Sequence, residues 1–104
     1  MAKLPRSFRE QNKSTRPYRE RYKKLPASVQ ALVREYAIRF HEDPTSKSLR
    51  VKELKETHRG RHCPGTFSVS ITMKYRALFF WKDGVRYWYW IGTHADYDNY
   101  IGSS

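Results

Sequence analysis

The chain has 104 residues, 38% of them hydrophobic, a length that fits one small domain burying about two-thirds of the surface its unfolded chain would expose. A single cysteine, Cys63, excludes an internal disulfide framework. With no 18-residue apolar run and no charged-then-apolar leader, we expect a cytoplasmic protein without a membrane partner. The formal net charge is +11, and residues 1–62 carry 17 Lys and Arg against 7 Asp and Glu. This balance favours an anionic partner, which could be nucleic acid, an acidic protein or an anionic membrane surface, over a basic surface kept only for solubility.

The first segment, residues 1–15, mixes basic and polar side chains and shows little apolar periodicity. We expect a basic flexible arm that contains no strand. Residues 16–104 are then expected to form a single domain. Pro17 suits the first turn of a helix that ends near Pro26. Three apolar residues of this helix share one face, and they are Tyr18, Tyr22 and Leu25.

A second helix opens at Pro26 and forms a hairpin with the first. Six apolar residues recur at the spacing of a core-facing stripe: Val29, Leu32, Val33, Tyr36, Ala37 and Phe40. Pro44 ends this helix, because the residue before a proline is pushed out of the helical region.

Strand patterns follow from Ser48 onwards. Leu49 and Val51 alternate with Arg50 and Lys52, which predicts a strand, and residues 55–65 are predicted to form a basic loop. The next strand alternates Phe67, Val69, Ile71 and Met73 with small polar residues. Segments 75–81 and 85–91 are almost continuously apolar, which predicts two central strands joined by a hairpin at Asp83-Gly84. The residues after Gly92 suit a short terminal helix.

These elements predict an α+β fold, in which an N-terminal helix hairpin packs on a small, mainly antiparallel sheet of about four strands, with a short C-terminal helix. In order and spacing the chain resembles the RelE/ParE family of bacterial toxins from type II toxin-antitoxin systems. The likeness covers residues 18–101. The matching segments are 22–26, 43–44, 48–52, 67–71, 74–78 and 91–97. The N-terminal strand usual in that family is not evident here.

The resemblance implies a toxin that an acidic antitoxin holds inactive. RelE-like members cut messenger RNA on the ribosome without a metal, whereas ParE-like members poison DNA gyrase. Arg76 holds the place of an arginine that contacts the scissile phosphate, and His94 matches a catalytic histidine that follows the last strand. Two catalytic lysines of RelE fall at Ser68 and Ser70 in this chain, and neither serine can act as a base near neutral pH.

The residues themselves suit RNA cleavage. His94 is the candidate general acid or base because an imidazole titrates near neutral pH, and Arg76 is the candidate phosphate clamp because its planar fork matches phosphate oxygens. Flanking phosphates would be held by Lys52, Lys55, Arg59, Arg61 and Lys74. Stacking on a base is assigned to Tyr97 or Trp90, and a second acid or base to His58 or His62.

Each assignment has a structural alternative. His94 could cap a helix or be satisfied by Asp96 or Asp98, and Arg76 could be a structural stack or an ion pair. The aromatic run 79–90 is better explained by core and hairpin packing than by base stacking. His58, His62 and Cys63 do not make a zinc site, because a structural site needs four ligands at set spacings. We therefore expect neither a metal nor another cofactor.

The leading hypothesis is a toxin endoribonuclease acting on mRNA, with the ribosome as a possible further partner and a cognate acidic antitoxin as its inhibitor. That antitoxin is expected to be partly disordered, to cover the basic surface and to add a strand to a sheet edge. Two alternatives stay open: a ParE-like inhibitor of DNA gyrase that is not a nuclease, and an RNA-binding module without catalytic activity.

Overall fold

A computed structural model describes residues 6–54 and 61–102, with side chains described from residue 9 onwards. The four helices are α1 (Arg6–Gln11), α2 (Arg16–Lys23), α3 (Ala27–Glu42) and α4 (His94–Ile101). The five strands are β1 (Asn12–Ser14), β2 (Lys52–Glu53), β3 (Thr66–Ser70), β4 (Tyr75–Lys82) and β5 (Val85–Thr93). Together they form an α+β fold, as the sequence predicts. In the described ranges no helix is long and apolar enough to cross a membrane.

The N-terminal segment departs from the expectation of a strandless arm over residues 1–15. Within its described part, residues 6–11 form a helix and β1 pairs in parallel with β5. Strand β1 is held because the buried Asn12 accepts a hydrogen bond from the indole Nε1 of Trp88 at 2.9 Å. Thr15 then donates its backbone N–H to the Trp88 carbonyl at 2.9 Å. The sheet therefore includes residues outside the predicted domain boundary.

The predicted helix hairpin is present. Pro17 lies in the first turn of α2, and Pro26 directly precedes α3, positions where the missing N–H of proline costs no helical hydrogen bond. Helix α3 packs Val29, Val33, Tyr36 and Phe40 into the core. Leu32, which the periodicity also assigned to the core, is 42% exposed because it lies at the margin of that stripe.

The predicted strand from Ser48 is reduced to the two residues of β2. Before it, Lys47–Leu49 form a 3₁₀ turn whose start is capped by Ser46, and Arg50 adopts a left-handed conformation with φ of 52°. This reversal breaks the alternation, so that Leu49 is fully buried while Val51 is 36% exposed.

The sheet has the order β1-β5-β4-β3-β2, with every pairing antiparallel except that of β1 with β5. The count is five strands rather than about four, since β1 was not anticipated. Asp83 and Gly84 both have positive φ, 52° and 76°, which confirms the predicted hairpin turn between β4 and β5.

The sheet is covered on both faces, and each face has its own core. Helices α2 and α3 pack on one face around Val69, Ala77, Phe79 and Ile91. On the other face, α4 contributes the buried Tyr97 to a smaller cluster that also contains Leu54, Leu78 and Trp90. We call these the hairpin face and the α4 face. The middles of β4 and β5 are therefore buried on both sides, as their apolar runs predict.

Candidate active site on the α4 face

The end of the β4-β5 pair brings together residues that lie far apart in the sequence. Tyr75 is paired with Thr93 and Arg76 with Gly92, and the His94 N–H donates to the Lys74 carbonyl at 2.7 Å. Since directly opposed residues of an antiparallel pair point to the same face, Arg76 projects on the α4 face. The register thus brings Lys74, Arg76 and His94 to one end of the sheet.

His94 is the first residue of α4, and the local sequence fixes it there. The Thr93 hydroxyl caps the helix by accepting a hydrogen bond from the Asp96 N–H at 3.2 Å. His94 Nδ1 lies 3.0 Å from Oδ2 of Asp98, one turn further on, and the His94 side chain is 48% exposed. Because a carboxylate can only accept, this contact favours a proton on Nδ1. Nε2 forms no hydrogen bond with another described residue.

Arg76 is tethered through one of its two terminal nitrogens. Its Nη1 donates to the carbonyls of Thr72 and Tyr75, the latter at 3.1 Å, so the guanidinium lies over the turn between β3 and β4. Neither the aromatic stack nor the ion pair considered as an alternative is found for it in the described part of the chain. Within that part, Nε and Nη2 have no acceptor and are available to an anion.

Ser68 and Ser70 of β3 lie on the same face as Arg76. Ser70 is paired with Arg76 across the β3-β4 ladder, and Ser68 is paired with Leu78 on one side and Lys52 on the other. Ser68 is only 4% exposed and so lies under the surface of the α4 face. The exposed Lys52 therefore projects on the same face, at the edge of the sheet.

The other predicted phosphate-binding residues are distributed around this face. Lys74 and Arg61 are exposed, and the Arg61 N–H donates to the Tyr100 carbonyl in α4 at 2.7 Å. His62 is half-buried beside it. Lys55, His58 and Arg59 lie outside the described residues.

Base stacking by Tyr97 or Trp90 is not supported by their positions. Tyr97 is 5% exposed and Trp90 is 4% exposed, and their rings pack against each other with centroids 6.4 Å apart. The Tyr97 ring instead packs against the His94 imidazole in an edge-to-face arrangement, with ring centroids 6.0 Å apart. These rings are core residues, because α4 needs an apolar face to pack on the sheet.

Arg21 is a cation of this face that the sequence analysis did not single out. It belongs to α2, yet its Nε donates to the Ile91 carbonyl at 2.7 Å and its guanidinium lies 4.6 Å above the Trp90 ring. Gly92 provides the space, because a Cβ at this position would lie 2.8 Å from Trp90 and 2.9 Å from Arg21. Gly92, two residues after Trp90, was the one signal available in the sequence, and it does not identify Arg21 as the cation.

Cys63 is exposed, and its backbone N–H donates to the Tyr89 hydroxyl at 3.1 Å. Across residues 6–54 and 61–102, no group of three or more His, Cys, Asp and Glu side chains is placed to hold a metal ion. A cavity of about 330 Å³ opens on the hairpin face, away from His94. Its walls are mainly apolar, and Arg9, Lys13, Arg19 and Arg34 are among the residues that line it.

Comparisons with known proteins give structural matches only. No protein-family model matches the sequence, and no curated protein sequence does. The RelBE2 toxin-antitoxin complex from Mycobacterium tuberculosis is 23% identical over 80% of this chain and 95% of that chain, with a TM-score of 0.61. YafQ from E. coli is 9% identical over 83% and 94%, with a TM-score of 0.63. The archaeal RelE-RelB complex from Pyrococcus horikoshii is 16% identical over 80% and 92%, with a TM-score of 0.57. These likenesses establish that the chain has a RelE-like fold, as predicted.

Proposed function

We propose that this protein is the toxin of a type II toxin-antitoxin pair and that it cleaves messenger RNA. The observation that supports the proposal is the convergence of His94 and Arg76 at one end of the sheet of a RelE-like fold. An imidazole with an available nitrogen can carry out one of the two proton transfers of RNA transesterification, and a guanidinium with available donors can stabilise the charge that develops on the phosphate.

The reaction would use the substrate's own 2′-hydroxyl as the nucleophile. The 2′-hydroxyl loses its proton to a base and its oxygen bonds to phosphorus. The bond from phosphorus to the 5′-oxygen breaks, and an acid donates a proton to that oxygen. The products are a 2′,3′-cyclic phosphate and a free 5′-hydroxyl. An internal nucleophile needs only proton transfer and charge stabilisation, so we expect no cofactor.

His94 would act through Nε2, either as the base that removes the proton from the 2′-hydroxyl or as the acid that donates one to the 5′-oxygen. Asp98, 3.0 Å from Nδ1, would support this role in two ways, because its carboxylate would favour a proton on Nδ1 and would stabilise the imidazolium that forms. Positioned acid-base groups of this kind typically contribute about 10²- to 10⁴-fold to a rate.

Arg76 would stabilise the charge that develops on the phosphorane through Nε and Nη2. Its Nη1 bonds to two backbone carbonyls keep the side chain oriented before substrate arrives. Lys52 and Lys74 lie at two margins of the same face and would hold flanking phosphates. They would supply positive charge in place of the two lysines that the resemblance to RelE puts at Ser68 and Ser70.

The partner would be a cognate antitoxin with an acidic segment. Two of the similar solved structures are toxin-antitoxin complexes. The cavity on the hairpin face suits an acidic segment with apolar anchors, because among the described residues its apolar walls carry four cations and no Asp or Glu. Because translated mRNA is the proposed substrate, the activity would take place in the cytoplasm.

Inducible expression in a bacterial host tests the proposal. We expect the wild type to arrest growth and to cut a translated reporter mRNA at discrete sites, and His94→Ala to do neither. His41→Ala is the matched control, because His41 lies in the last turn of α3, and it should act as the wild type does. Growth arrest with intact mRNA would instead point to an inhibitor of the gyrase-directed kind, and no arrest at all would point to a binding module.

A further inference from the structure

A second group of cations on the α4 face lies beside the catalytic candidates and centres on Arg21. The guanidinium of Arg21 lies 4.6 Å from the Trp90 ring centroid, and Tyr100 stacks on the same indole at 5.2 Å with an interplanar angle of 28°. Arg21 uses Nε to bond the Ile91 carbonyl. Its two terminal nitrogens have no acceptor within the described ranges.

Arg61 contacts this stack at Tyr100. Arg61 is exposed and its backbone N–H is fixed to the Tyr100 carbonyl at 2.7 Å. Burial raises the pKa of the Tyr100 hydroxyl and Cys63 raises it further, while the positive charges of Arg21 and Arg61 lower it. Arg21 of α2 shares the Trp90 ring with Tyr100, and Arg61 is bonded to the Tyr100 backbone, so residues from two distant segments meet at Tyr100.

We propose that Arg21 and Arg61 form a phosphate-binding subsite for single-stranded RNA across the Tyr100 end of α4. The inference rests on the proposed function and extends it, since it gives the RNA a second anchoring point beside the His94 end of β5. Arg21 would be a binding residue and not a catalytic one.

The geometry favours a phosphate chain for three reasons. Arg21 is oriented by two contacts before any ligand binds, so little side-chain entropy is lost when its terminal nitrogens donate hydrogen bonds to an anion. Arg61 is exposed and its backbone is fixed to Tyr100, so a second cation beside the same ring is open to the ligand. The subsite also lies on the face that carries Arg76 and His94, whereas the cavity suited to an acidic protein lies on the other face.

The test measures binding of a fluorescein-labelled single-stranded RNA of about 12 nucleotides by fluorescence anisotropy, over about 50–200 mM potassium chloride. All proteins carry His94→Gln, so that the RNA stays intact. Arg21→Gln and Arg61→Gln are compared with Lys23→Gln, which removes an exposed charge from the same helix. Thermal unfolding followed by tryptophan fluorescence checks that each variant is folded.

We expect Arg21→Gln and Arg61→Gln each to weaken binding by about tenfold and to reduce the salt slope by about 0.7, the value for one lost phosphate contact on a single strand. Arg21→Lys should restore the slope, and Lys23→Gln should leave it unchanged. Arg61 is exposed, so its variant remains informative if Arg21→Gln unfolds.

Three results would overturn the subsite. The protein with both arginines intact could fail to bind the RNA, or both arginine variants could keep the full salt slope of RNA binding. In a parallel titration with a polyglutamate peptide, both variants could lose binding to the peptide while keeping it for RNA, which would assign the face to an acidic protein. If the wild type cleaves mRNA while these variants bind normally, the subsite fails and the proposed function stands. If the variants lose RNA binding but the wild type never cleaves, the subsite stands and the nuclease function fails.

Discussion

Asp98 offers the sharpest test of how the candidate site works, through the substitution Asp98→Asn. Asp98 lies 3.0 Å from Nδ1 of His94, and the two side chains are 38% and 48% exposed. A partly exposed pair of this kind contributes about 0.2–1 kcal/mol, because solvent screens it. Asparagine can still accept from Nδ1 through Oδ1, so the orientation of the imidazole is kept and only the charge is lost.

We therefore expect Asp98→Asn to slow the cleavage step by at most about fivefold, since 1.36 kcal/mol corresponds to a factor of ten. Asp98→Ala should cost more, because it also removes the acceptor that fixes the tautomer. The free energy of unfolding should fall by no more than about 1 kcal/mol in the asparagine variant. Single-turnover cleavage of a reporter mRNA and urea unfolding measure the two effects.

Asp96→Asn is the matched control, because Asp96 lies in the same helix and forms no ion pair with His94 in the described structure. It should leave the cleavage step unchanged. A loss of 10²-fold or more in a folded Asp98→Asn variant would refute this reasoning, since it would give Asp98 a chemical role of its own. Unchanged cleavage in Asp98→Ala would show that the carboxylate does not orient His94.

Three further predictions concern stability. Gly92→Ala should lower the free energy of unfolding by about 1–3 kcal/mol in urea, because the new Cβ would lie 2.8 Å from Trp90 in a packed site. Full stability would mean that the indole can move aside. Tyr36→Phe should cost about 1–3 kcal/mol by the same measurement, since it removes the 2.6 Å hydrogen bond to the buried Leu49 carbonyl. Burial raises the pKa of Tyr89 from 10.0 to about 12. The stability that the protonated Tyr89 gives the fold should therefore be complete below pH 10 and decline as the pH rises towards 12. In a pH series of thermal unfolding, Tyr89→Phe should reduce this decline, and an unchanged profile would contradict the prediction.

The sequence predicted correctly those helices and turns that are determined by residues close together in the chain. The stripe from Val29 to Phe40 buries a helix face, and Asp83-Gly84 supplies the two positive φ angles of the hairpin turn. The step from an apolar strand into a short polar segment placed His94 at a helix start, where the Thr93 cap is found. The pairing of His94 with one of two nearby carboxylates was among the alternatives considered, and an i, i+4 spacing selects Asp98.

Features that depend on distant partners could not be predicted in this way. Strand β1 has three residues and no apolar pattern, and it exists because β5 offers its edge and Trp88 offers a donor to Asn12. The interruption at Lys47–Leu49 follows from a left-handed Arg50, a conformation that the residue type does not suggest. The approach of Arg21 to Trp90 depends on how α2 lies along β5, so no spacing in the sequence reveals it.

The central claim is that His94 and Arg76 together cleave RNA by transesterification. The measurement that tests it most directly is the analysis of product ends after purified protein acts on a reporter mRNA in a translating extract, with His94→Gln and Arg76→Gln alongside. The extract cannot be freed of magnesium, so the chemistry is identified by the ends that form. We predict fragments with a 2′,3′-cyclic phosphate and a 5′-hydroxyl for the wild type, and at least 10²-fold less cleavage for each folded variant. Fragments with a 5′-phosphate, or full cleavage by both variants, would contradict the account.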